Sequence, residues 1–146
     1  MPLLKPIAGH TGCAGIKRYL EKGGRALGIL TMNFAWQEER VFENVSEAPG
    51  DFDWAKSMDA TRHACGNDTP YRGKPARTFK HFVMSPDPQD GLTADQVAEL
   101  ASAWALKHFS DFEVAIVLHD DNENRIPHAH IVVNNTNLAT ERRLQT

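Results

Sequence analysis

The chain has 146 residues, 41% of them apolar, and a net charge of −3, which fits one domain over residues 1–146 with a core of its own. No run of 18 or more apolar residues occurs, which excludes a membrane-spanning helix, and Met1-Pro2-Leu3-Leu4-Lys5-Pro6 lacks the apolar stretch of a secretory leader. Two cysteines, Cys13 and Cys65, are too few for a disulfide framework, so a reducing, cytoplasmic setting is expected.

In chain order, the first expected element is a helix over Gly12–Lys22, with Thr11 as N-cap and Gly23-Gly24 as its stop. It carries Tyr19 among Lys17, Arg18, Lys22 and Arg25. A phenol is a poor nucleophile unless cations stabilise its phenolate, and these bases could do that or hold phosphates. Arg25–Phe34 has room for a short strand, and acidic Gln37–Asp53, with a turn at Pro49-Gly50, reads as a surface excursion. Asp53–His63 spaces Trp54, Met58 and Thr61 or Arg62 by three and four, which predicts a helix. Asn67–Ala76, with Pro70, Gly73 and Pro75, is a loop; it holds Tyr71, the competing phenol.

Thr78–Ser85 alternates as a strand, with Phe79, His81 and Val83 on one face and Lys80, Phe82 and Met84 on the other. Thr93-Ala94-Asp95-Gln96 has the capping-box pattern and opens an amphipathic helix to Phe109. Glu113–His119 and His128–Asn134 are apolar, β-branched strands joined by a polar loop. The order of elements predicts an α+β fold, an antiparallel central sheet flanked by helices.

The histidines carry the chemistry. His128 and His130 stand at i and i+2, so a strand points both to one face. If the last two strands pair as a hairpin, His119 joins them, and three imidazoles form a metal site with a position open for substrate. Asp120 and Asp121 are the expected acceptors that orient an imidazole N–H. An all-imidazole set suits Zn²⁺, Ni²⁺ or Mn²⁺ better than Mg²⁺. A histidine-triad nucleotide hydrolase would place a third histidine where Val132 stands.

Charge is segregated along the chain. Residues 1–34 hold five bases against one acid, residues 61–81 again five against one, and residues 82–125 nine acids against two bases. Such segregation can build a basic face on an acidic protein.

Together these pieces resemble the relaxases, the mobilization nucleases of the HUH endonuclease superfamily, named for two histidines around a hydrophobic residue, here His128-Ala129-His130. The most specific match is His119-Asp120, six residues, then Pro127-His128-Ala129-His130-Ile131-Val132-Val133-Asn134. Gly15-Ile16-Lys17-Arg18-Tyr19-Leu20 resembles the family's tyrosine segment, and Lys80–Ser85 its central strand leading into a helix. The resemblance implies a site- and strand-specific nick at an origin of transfer, with Tyr19 as nucleophile and a 5′-phosphotyrosyl intermediate. It implies a divalent metal on His119, His128 and His130, Mg²⁺ or Mn²⁺ in function, with Zn²⁺ or Ni²⁺ able to occupy it in a crystal. Asp59 is the expected proton acceptor. Lys17, Arg18, Arg25, Arg62, Arg77 and Lys80 are the expected contacts to single-stranded DNA. Accessory relaxosome and coupling proteins are the further partners implied.

Two departures from the family pattern stand out. The chain ends polar and mid-pattern at Arg142-Arg143-Leu144-Gln145-Thr146, which reads as a truncated C-terminal end, and its net acidity is unusual for a DNA enzyme. The alternatives are a rolling-circle replication initiator of the same superfamily and a non-catalytic, metal-stabilised DNA-binding module. Initiators more often place the tyrosine after the histidines; here it comes 100 residues before the first of them.

Overall fold

A computed structural model of the chain describes residues 3–34, 46–47, 52–70, 72–122 and 124–144. Six strands form one antiparallel sheet: β1 (Leu3–Gly9), β2 (Gly28–Met32), β3 (Ser46–Glu47), β4 (Phe79–Ser85), β5 (Phe112–His119) and β6 (His128–Asn137), in the order β1-β4-β6-β5-β2-β3. Among the described residues three α-helices accompany it, α1 (Ala14–Glu21), α2 (Trp54–Ala64) and α3 (Ala94–His108). The α+β architecture expected from the sequence is therefore the one observed.

β5 and β6 lie at the centre, and their register places His119 opposite His128 and Val117 opposite His130. An antiparallel sheet usually wets one face, yet β5 is buried along its whole length. The reason is that both faces are covered. On one, Val114, Ile116 and Leu118 of β5 and Ala129, Ile131 and Val133 of β6 meet Val97, Ala101 and Ala105 of α3. On the other, Ala115, Val117 and Val132 meet Cys13 and Leu20, from the α1 region, and Trp54, Ala55 and Met58 of α2. Each fully buried Val, Ile or Leu contributes about 1.5–3 kcal/mol, so this pair of strands is the rigid part of the fold. His119, His128 and His130 lie on the face shared with α1 and α2.

The helices form for local reasons. Asp53 caps α2 by accepting from the Lys56 N–H. Thr93 and Gln96 make the reciprocal capping box of α3, as their spacing predicts, although Leu100 on its apolar stripe is exposed. α1 departs from expectation at its start: Cys13, not Thr11, is its N-cap, and it makes no side-chain cap. The Asp59 carboxylate, from α2, accepts the Cys13 N–H instead, at 2.9 Å.

Two strands have no counterpart in the sequence reading. β1 precedes the expected first helix and pairs with β4 at the sheet edge, where Pro6 is tolerated. Its last residue, Gly9, lies beneath the Phe79 ring, which any Cβ there would strike. β3 lies within the acidic excursion; most of that excursion, like Tyr71, is outside the described residues.

Candidate metal centre

The β5–β6 hairpin brings the three expected ligands together. His119 ends β5, fully buried; His130 is 8% exposed and His128 half-buried. Their ring centroids are 4.5 Å (His119–His130), 5.1 Å (His128–His130) and 5.6 Å (His119–His128) apart. One ring nitrogen from each lies within 4.8 Å of the others.

The second nitrogen of each ring is already engaged. His119 Nε2 is 2.6 Å from the Leu20 carbonyl and His128 Nδ1 is 3.1 Å from the Ile126 carbonyl. A carbonyl only accepts, so both of those nitrogens carry the proton, and His119 Nδ1 and His128 Nε2 are left as lone pairs. His130 Nδ1 is 2.9 Å from Nε2 of His81. On the inner side, His119 Nδ1 and His130 Nε2 are buried with no hydrogen-bond partner. An unsatisfied buried polar atom costs about 1–3 kcal/mol, and two of them on rings 4.5 Å apart are what a cation would satisfy. The donor set of three imidazoles fits a divalent transition metal.

The electrostatics favour the neutral form of His119 and His130. Burial, and then the neighbouring rings of His119, His81 and His128, push His130 down to about 3. Burial and the proximity of His119 push His81 down to about 4. His119 is lowered chiefly by burial. Neutral imidazole is the form that binds metal.

Tyr19 sits next door, one residue before the Leu20 whose carbonyl holds His119. Leu20 is buried and Tyr19 is 58% exposed. The Arg25 guanidinium lies over the Tyr19 ring, 5.1 Å from its centroid, and donates to the Tyr19 carbonyl at 3.2 Å. Arg25 is held in turn by Asp121 at 2.8 Å. Lys17 pairs with Glu21 at 3.1 Å, and Arg18 is exposed on the same helix.

Several expected residues are placed differently. Asp59, on α2, meets the start of α1 at Cys13, six residues before Tyr19. Its carboxylate is engaged by the Cys13 N–H and by Arg62 at 2.5 Å. Arg62 is no surface contact for DNA. It is 2% exposed and binds Asp68 (2.8 Å), Asp59, Asn134 (3.1 Å) and the Cys13 sulfur (3.3 Å). Arg77 is half-buried and donates to the Leu144 carbonyl at 2.6 Å. Lys80 extends over the Phe82 ring on the α3 face, opposite the histidines. Asp120 and Asp121 bond no imidazole: Asp121 faces Arg25 and Asp120 faces Arg125. Main-chain carbonyls stand at the outer nitrogens of His119 and His128, and His81 at that of His130.

His81 is the site residue that sequence reasoning missed. It is a polar residue on an inward position of β4, which is a signal. Its meaning depends on β4 lying beside β6, and strand order is not written in alternation.

Fold and site thus define an α+β domain whose two central strands carry a three-imidazole centre. The chain belongs to the relaxases: the family model "Relaxase: MobA/VirD2-like, nuclease domain" matches residues 35–146. That span includes α2, α3, β3 to β6 and all three histidines, and it begins after the Tyr19 helix. No curated protein matches the chain. Among the described residues, no helix is long and apolar enough to cross a membrane.

Proposed function

We propose that this nuclease domain nicks one DNA strand at an origin of transfer, by transesterification onto Tyr19, to mobilise a plasmid or integrative element. The observation that supports it most is the histidine centre, with two buried inner nitrogens lacking any partner, one residue removed along the chain from an exposed phenol through the His119–Leu20 bond.

In the proposed step the Tyr19 oxygen bonds to phosphorus and the bond from phosphorus to the 3′-oxygen breaks. The phenolic proton passes to a base and the departing 3′-oxygen takes one up, leaving a 5′-phosphotyrosyl adduct and a free 3′-hydroxyl. His119, His128 and His130 would hold a divalent ion, Mg²⁺ or Mn²⁺, whose contribution when bound would be Lewis-acid polarisation of the phosphate. Arg25 places positive charge against the ring on which negative charge builds. Arg18, exposed, and Lys17 and Arg25, half-buried beside it, form the basic approach for the DNA strand. The bond energies of reactant and adduct are similar, so the step reverses and ends can be rejoined. Accessory relaxosome and coupling proteins in the cytoplasm are the proposed partners.

The test is incubation with Mn²⁺ and single-stranded oligonucleotides tiling the DNA next to the gene. A covalent protein–DNA band is expected, lost in Tyr19→Phe and kept in Tyr71→Phe. A band that persists in Tyr19→Phe removes Tyr19 as nucleophile.

A further inference from the structure

The outer partners of the three imidazoles are not alike. His119 and His128 face main-chain carbonyls, which have no proton to give, so each ring has one tautomer available. His130 faces another imidazole. In the β4–β6 register His81 stands opposite Val132, which makes it the diagonal neighbour of His130 on the same face. The ring centroids are 5.1 Å apart with the planes tilted by 31°, and both residues are buried.

Of the nitrogens 2.9 Å apart, His130 Nδ1 and His81 Nε2, one donates and the other accepts. If His81 donates, the neutral His130 ring carries its own proton on Nε2. That N–H is buried with no acceptor, and the third lone pair is lost. If His130 donates, its Nε2 is bare and inward, and His81 holds its proton on Nδ1.

We propose that His81 is a positioning residue of the metal centre, accepting from the Nδ1–H of His130 and thereby setting the tautomer that turns the third ligand inward. Two ligands are fixed by the backbone and the third by a side chain, so the third is the one a single substitution in its support can switch off. This inference rests on the reading of the histidine triad as a divalent-metal site.

The experiment is calorimetric titration of the 146-residue chain with Zn²⁺ and with Mn²⁺, for wild type, His81→Phe and His81→Gln, with urea unfolding of each. His81→Phe removes the acceptor and should bind metal about 10–100-fold more weakly. His81→Gln retains an acceptor oxygen and should recover most of that loss, which a purely structural role for the ring would not predict. Long-range ¹H–¹⁵N NMR of the Zn²⁺-loaded wild type, which needs no variant to fold, should show the His81 proton on Nδ1. Unchanged affinity in a folded His81→Phe, or a proton on His81 Nε2 in the loaded protein, overturns the proposal. Failure of the wild type to bind either ion overturns the metal-site reading and this inference with it, a different result from wild-type binding that His81 does not affect.

Discussion

Asn134 and His130 point to the same face of β6, four residues apart, and their polar atoms are satisfied in opposite ways. The Asn134 amide donates to the Met58 carbonyl and to Glu113, both at 3.0 Å, and its oxygen accepts from Arg62 and from the Asn135 N–H, both at 3.1 Å. His130 has an outer nitrogen bonded to His81 and an inner one bonded to nothing. The Asn134 end is completed by the chain itself: it ties α2 to the sheet and, through Arg62, to the start of α1. The His130 end is left incomplete toward one point. Buried polar groups are almost always paired, so an unpaired cluster marks where a ligand belongs, while a fully paired one marks structure, however charged its residues are.

The comparison breaks most readily at Arg62. Replacing it with leucine removes the cation beside the part-exposed Asp59 and Asp68 and one of the two donors to the Asn134 oxygen, and should cost about 1–3 kcal/mol in urea unfolding. The metal affinity of the folded protein should not change; a variant of normal stability that binds metal poorly would erase the distinction between the two ends.

The reverse substitution is His130→Phe, which keeps the ring's bulk and removes the unpaired nitrogen. Metal affinity should fall by more than about 100-fold, beyond the range for a supporting residue, while metal-free stability stays within about 1 kcal/mol of wild type. Wild type should also gain about 2.7 kcal/mol at a metal concentration 100 times its Kd, a gain that His130→Phe should not show.

Smaller effects sharpen the contrast at the surface. Arg18→Gln and Arg25→Gln should each flatten the salt dependence of single-stranded DNA binding by about 0.7 in log–log slope, whereas Arg77→Gln should leave it unchanged. Cys13 lies inside the completed network, its thiol pushed up to about 12 by burial against the opposing pull of Arg62. It should resist alkylation at pH 8 until the protein unfolds, with half-buried Cys65 reacting first.

What could be read from sequence divides along the same line. The histidine hairpin was legible because alternation fixes which side chains share a face, and a β-branched run bounded by a polar loop has few other folds. α2 and α3 were legible from spacing and capping residues. β1 was not, because Pro6 and the Gly9 end weaken its strand pattern, and only pairing with β4 makes it a strand. Arg62 was read as a DNA contact because charged residues are mostly exposed; its burial depends on Asp59 of its own helix, Asp68 of the following loop and Asn134 of β6 closing around it. Asp59 was read as a base for the phenol; that it also holds the start of α1 depends on α2 packing there, which spacing does not show. His81 needed the strand order. Faces are local information, and partners across elements are not.

The inner nitrogens of His119, His128 and His130 are proposed to form one metal site. A crystal soaked in Zn²⁺ tests it most directly. The account predicts one anomalous peak about 2.0–2.1 Å from His119 Nδ1, His128 Nε2 and His130 Nε2, with the Leu20, Ile126 and His81 bonds intact. An ion bound through His119 Nε2, or held elsewhere with the three inner nitrogens left bare, would contradict it.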